Sequence, residues 1–91
     1  MWDESYRPNI RRDLQYRELE DGGVIYDTSA EMIHTLNVTA AYIWNCCDGR
    51  HNVSEIASEL NRLKNVSPEQ AARDVTEALT YFQREALLHL Q

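Results

Sequence analysis

The side chains best suited to chemistry in this 91-residue chain are Cys46 and Cys47, His34, His51 and His89, and 15 carboxylates. Thiolates and imidazoles ligate metals or act as nucleophile and base when spacing brings them together. Here it does not. Successive residues on a helix point about 100° apart, so the adjacent cysteines suit neither a disulfide nor a chelate. There is no Cys-x-x-Cys, and the histidines fall one to a segment. The three glycines, two of them side by side at positions 22 and 23, form no phosphate-cradling loop. Ser54 and Ser67 are explained by helix starts, and no carboxylate pair stands out. The residues therefore predict no catalytic group, no metal site and no cofactor, with the cysteines as half-buried helix thiols in a reducing compartment. A chain of this size without such groups reads as a binding module.

The best binding signal is on the last helical segment. Beside an apolar stripe at Ala72, Val75, Leu79, Phe82 and Ala86 runs a second row, Ala71, Asp74, Ala78, Tyr81 and Glu85. Small side chains with an aromatic wall and an acid can form one bank of a shallow groove. A strand over Met32, Ile33, His34, Thr35 and Leu36, lying at a sheet edge beside this helix, would form the other bank. An extended peptide could then join the sheet through its main chain. From the pattern alone, the bland alternative is that Ala71 and Ala78 merely pack closely on a neighbouring element.

These residues must be positioned by the elements around them. Residues 10–19 alternate with Leu14 and Tyr16 on one face, a half-buried strand. Glu20-Asp21-Gly22-Gly23 reads as a hairpin turn. Residues 24–27 and 32–36 follow as second and third strands, separated by a turn at 28–31. Asn37 then caps a helix over 38–48 that buries Ala40, Ile43, Trp44 and Cys47 and stops at Asp48-Gly49. Asn52-Val-Ser-Glu55 and Ser67-Pro-Glu-Gln70 are capping boxes opening helices over 53–64 and 68–86. The second helix is expected to bury Val53, Ile56, Ala57, Leu60 and Leu63, with Leu87, Leu88 and Leu90 closing the core. The expected fold class is α+β: a three-stranded antiparallel meander followed by three α-helices, a winged helix-turn-helix. Residues 1–9 are expected as a flexible arm, with Trp2 on a frayed terminus, and residues 10–91 as one domain.

Charge restricts the partners. The chain carries −6 at pH 7, and residues 68–88 hold four carboxylates against two arginines. Duplex DNA is bound mainly through Lys and Arg, and a recognition helix is normally neutral or basic, so no nucleic-acid partner is expected. A winged helix-turn-helix transcription regulator stands as the alternative reading. No apolar run approaches the roughly 20 residues that span a bilayer. No membrane partner and a cytoplasmic location are expected.

The residues also carry a family resemblance. Leu36-Asn37-x-Thr39-Ala40-x-x-Ile43-Trp44, then Asp48-Gly49, Glu55-Ile56-Ala57, Leu60, Asp74-Val75 and Leu87-Leu88 resemble the coenzyme PQQ synthesis protein D family. The likeness runs from about residue 6 to residue 88. That family belongs to the recognition elements of ribosomally made, modified peptides. The resemblance implies a domain of three strands and three helices without catalytic activity. It implies binding of the leader segment of a precursor peptide as an added strand between the third strand and the third helix. It further implies delivery to a modifying enzyme, a radical S-adenosylmethionine protein or another tailoring enzyme. On this chain the peptide site falls on Met32, Ile33, His34, Thr35 and Leu36 and on Ala71, Asp74, Ala78 and Tyr81. Two positions depart from the family's pattern. The segment between strands two and three lacks the usual Leu-Leu-x-Pro-Glu step, and Ala86 stands where the family usually has Gly. The pathway, PQQ or another modified peptide, stays open.

Overall fold

Three side-chain caps set the helical half of the chain. Asn37 Oδ1 accepts from the Ala40 amide at 2.8 Å and opens α1 (Val38–Cys46). Asn52 and Glu55 bond reciprocally, each at 2.8 Å, and open α2 (Val53–Lys64). Ser67 Oγ accepts from the Gln70 amide at 3.1 Å, with Pro68 starting α3 (Pro68–Arg84). This last cap is only half a capping box, because the Gln70 side chain donates to Asp74 instead of turning back to Ser67. α1 stops earlier than its sequence suggests, at Cys46, where the Cys47 amide returns to the Trp44 carbonyl. α3 also ends early, and Ala86 just beyond it takes a left-handed conformation, φ 58°.

Before the helices, the computed structural model, which describes residues 2–89, forms an antiparallel sheet of order β1-β2-β3. The strands are β1 (Gln15–Leu19), β2 (Gly22–Asp27) and β3 (Met32–Leu36). The third matches the sequence reading, and the α+β architecture of a three-stranded meander followed by three helices is the one expected. β1 is shorter than predicted. Residues 9 and 10 instead form single bridges to Asp48 and Leu88. Arg11 bends the chain by bonding Asp13, buried Asp27 and the Ala86 carbonyl together. The hairpin turn is also tighter than predicted. Leu19 pairs with Gly22, so Glu20 and Asp21 make the turn and both glycines belong to β2. They are needed there, since a Cβ on Gly22 (φ 149°) would run into the Leu36 carbonyl and one on Gly23 into the Tyr16 hydroxyl.

The inner sheet face, with Ile25, His34 and Leu36, packs on the helices around Ile43, Trp44, Val75, Leu79 and Phe82, all buried. Trp44 meets Phe82 edge-on with centroids 5.2 Å apart. Three helix-face assignments change. α3 buries Ala71, Val75, Ala78, Leu79 and Phe82, whereas Ala72 and Ala86 are exposed. α1 buries Ala41 in place of Ala40, which is half-buried. Leu63 is 53% exposed, at the solvent side of the last turn of α2. Leu87 and Leu88 close the core as expected, and Leu90 lies outside the described residues.

The segment expected as a flexible arm is laid along the helices. Its carbonyls at Glu4, Tyr6 and Pro8 accept from the amides of Ser54, Val53 and Gly49. Those donors include the first amides of α2, which have no partner inside the helix. Trp2 stacks on Tyr6 and donates to Thr80 Oγ1 at 3.1 Å, so it anchors the segment to α3.

Candidate functional site

β3 has β2 on one side only, so its other edge presents main-chain donors and acceptors outward. Its residues, Met32, Ile33, His34, Thr35 and Leu36, carry no formal charge. The opposite sheet edge, β1, holds Arg17 and Glu18. Charges on an edge discourage strand pairing. The uncharged edge is the one that opens beside α3.

A single residue, Asn37, separates β3 from α1, so the first turn of α1 must lie at the end of that strand. Between the end of β3, this turn and α3 is a cleft of about 390 Å³. Thr35 and Leu36 contribute from β3, Asn37, Thr39, Ala40 and Ile43 from the cap and α1, and Asp74, Glu77, Ala78 and Tyr81 from α3. Its buried lining residues, Leu36, Ile43 and Ala78, are apolar. Its α3 rim carries two carboxylates, and none of these lining residues is Lys or Arg. Asp74 Oδ1 accepts from Gln70 Nε2 at 2.7 Å, which holds that carboxylate at the rim.

His34 lies beneath the cleft. Buried on the inner sheet face, its Nδ1 is 2.8 Å from the Tyr81 hydroxyl, with the rings edge to face. Arg84 covers the Tyr81 ring at 5.5 Å from its centroid. Burial, with Glu85 nearby, pushes the Tyr81 phenol above its usual pKa and keeps it a neutral hydroxyl.

Of the residues singled out from the sequence, Thr35, Leu36, Asp74, Ala78 and Tyr81 come together in the cleft, with His34 beneath. Met32 and Ile33 are exposed along the strand but do not line it. Ala71 is fully buried in the core, so for that residue close packing is the correct alternative. Ala78 has both roles, at 9% exposure. The contributions of α1 and of Glu77 to the lining were missed. Only the one-residue connection at Asn37 signals the first, and nothing in the sequence signals the second.

The remaining reactive side chains lie elsewhere. Cys47 is buried, and its thiol donates to the Ile43 carbonyl. Burial pushes both cysteine pKa values up, that of Cys47 far beyond the usual thiol range. Cys46 is half-buried beside Tyr42, whose phenol burial pushes to about 12. Among the described residues no three His, Cys, Asp or Glu side chains are grouped to hold a metal ion. No helix there is long and apolar enough to cross a membrane.

Solved structures share this fold. The chain is similar to a lasso peptide synthetase B1 complexed with the leader peptide, at 24% identity and TM-score 0.78, over 92% of this chain and 99% of that one. It is similar to TbiB1 in complex with the TbiA(beta) leader peptide, at 17% identity and TM-score 0.80, over 91% and 96%. A third similar structure is the PqqD truncation of Methylobacterium extorquens PqqCD, described as a stand-alone recognition element. It shows 22% identity and TM-score 0.80 over 99% and 96%. These likenesses establish the fold. A search of curated protein sequences finds no match. The family model for coenzyme PQQ synthesis protein D matches residues 22–88, from the first residue of β2 through α3 to the closing Leu88. With well over half its length matched by that model, the chain belongs to the coenzyme PQQ synthesis protein D family.

Proposed function

We propose that this protein is a non-catalytic peptide-recognition module that captures the leader segment of a ribosomally made precursor peptide by strand addition at β3. The observation that carries the proposal is the uncharged free edge of β3 opening onto the cleft against α3. A strand added there would bond main chain to main chain, and alternate side chains would enter the cleft toward Ala78 and Tyr81. The peptide-contacting residues are then Met32, Ile33, His34, Thr35 and Leu36 through β3, and Asp74, Ala78 and Tyr81 through α3. Two of the similar structures are complexes with leader peptides, which supports the same reading. The bound leader is handed, in the cytoplasm, to a modifying enzyme of the PQQ pathway or of another modified peptide, a radical S-adenosylmethionine protein or a different tailoring enzyme.

The test is calorimetric titration with the leader peptide of a candidate precursor. Glu77→Trp on the exposed flank of the cleft and Ala78→Trp on its floor should each weaken binding at least tenfold. Because Ala78 also belongs to the core, circular dichroism must first show that its variant is folded. Thr35→Pro, which deletes one amide from β3, should weaken binding if that amide points outward. Undiminished affinity in the folded Glu77→Trp protein would move the site away from this cleft. Binding to duplex DNA at low salt would instead favour the regulator reading.

A further inference from the structure

The outer face of the sheet carries an apolar ridge that the cleft does not use. Tyr26 on β2 and Ile33 on β3 are direct cross-strand partners, 46% and 55% exposed. Both point away from the core, as does Val24 beside them on β2. A shallow concavity of about 560 Å³ lies on this face, with Arg17, Val24, Tyr26 and Ile33 in its lining. Cross-strand pairing continues the row across the sheet, Gln15 opposite Tyr26 and Tyr26 opposite Ile33. The row ends at Ile33 because β3 is the edge.

We infer that Ile33 and Tyr26 form a second side-chain subsite for the peptide strand, on the face opposite the cleft, and that it takes a bulky apolar residue. The inference rests on the strand-addition reading above. A strand laid beside β3 alternates its side chains between the two faces. One residue comes to lie next to Ile33, extending the row Gln15–Tyr26–Ile33. Its neighbours on either side point to the inner face, the one on the Leu36 side toward the cleft. The residue two positions along lies next to Thr35, in the row formed by Arg17, Val24 and Thr35.

The two outer rows differ in character. Beside Ile33 a β-branched or aromatic side chain would cover exposed apolar surface and pack in the lateral contact that stabilises sheets. Beside Thr35 the lateral partner is a hydroxyl, which suits Thr or Ser. The module then reads a two-sided strand, apolar inward at the cleft and apolar outward at one position only. The outward side chain of that strand extends the ridge past Ile33, so the free end of the exposed Tyr26–Ile33 row belongs to the peptide site.

The probe is a phage-displayed library of random twelve-residue peptides, selected on the folded parent protein and counter-screened on Glu77→Trp. Peptides that bind the parent but not Glu77→Trp are synthesised and scanned with Val, Thr, Lys and Glu at every position. The scan is titrated against the parent and against Ile33→Glu, whose substitution lies on an exposed position. The parent should prefer Val over Lys at one outward position. Ile33→Glu should reverse that preference in favour of Lys, by up to about fivefold, and leave the flanking inward positions unchanged. A position scan that is the same for parent and Ile33→Glu overturns the outer subsite while leaving strand addition intact. Failure to select any peptide sensitive to Glu77→Trp overturns strand addition at this cleft, and the subsite with it.

Discussion

His34 on β3 and Tyr81 on α3 share a hydrogen bond of 2.8 Å beneath the cleft, joining its two banks by one contact between residues 47 positions apart. His34 is buried, so its ring nitrogen has no ready solvent replacement for that partner. Tyr81→Phe keeps the aromatic wall and removes only the hydroxyl. The expected cost is about 1–3 kcal/mol, the penalty for an unsatisfied buried polar atom. For a domain of this size each kcal/mol lowers Tm by roughly 4–8 °C. The His34→Leu/Tyr81→Phe pair should lose less than the sum of the single changes, a coupling that urea denaturation of all four proteins measures. Strict additivity would mean that the contact does not hold the banks together.

Trp44 is buried between Tyr16 of the sheet and Phe82 of α3, with ring centroids at 6.2 and 5.2 Å. It therefore links three layers of the fold. Trp44→Ala is expected to cost about 3–5 kcal/mol, a large part of the ~5–15 kcal/mol that holds a domain folded. The check is a urea melt, which should show a much lower midpoint or an unfolded chain. A midpoint close to that of the parent would remove Trp44 from the core.

Ala86 follows α3 with φ 58°, in the region that disfavours any side chain bearing a Cβ. Its carbonyl accepts from Arg11 at 2.8 Å, a contact that helps to hold it there. The family's usual Gly at this position is explained by the same conformation. Ala86→Gly should relieve about 1–2 kcal/mol of backbone strain and lose about 0.4–1 kcal/mol to the freer unfolded chain. The net expectation is a small stabilisation, seen as a rise of a few degrees in Tm by calorimetry. A fall in Tm would show that the left-handed conformation is not strained in this setting.

Asp48 links α1 to α2. Burial raises its pKa, but the Arg50 and His51 amides and the His51 ring together outweigh this and hold the carboxyl below the ordinary aspartate value. A carboxylate with a depressed folded pKa adds stability above the unfolded value and loses it as pH falls through the folded one. Acidification below about pH 4 should therefore destabilise the parent more than Asp48→Asn, which keeps an acceptor oxygen but does not titrate. Urea midpoints at pH 6 and pH 3 test this. Equal losses in both proteins would assign the acid sensitivity to other groups.

Local chemistry made much of this protein legible in its sequence. Asn37, Asn52 and Ser67 mark three helix starts because each satisfies backbone amides within three residues of itself. The charge-free run Met32–Leu36 is a strand with the bounds expected, and Ile43, Trp44, Val75, Leu79 and Phe82 are core. What the tertiary structure decided was phase and proximity. Ala71 and Ala72 are the same residue type about 100° apart, so hydrophobicity alone could not tell which one faces the core. Packing of α3 against its neighbours chose Ala71 and left Ala72 in solvent. Gly22 and Gly23 look like turn residues until the Leu36 carbonyl and Tyr16 side chain come close enough to exclude a Cβ. The N-terminal segment has little apolar periodicity, and it is ordered by α2 amides and by Thr80, partners a local reading cannot supply. The cleft likewise joins residues 35–43 to residues 74–81, so it exists only once β3, α1 and α3 have packed. Caps and turns act over a few residues and are written locally, whereas a binding surface depends on long-range packing that determines which side of each element is left uncovered.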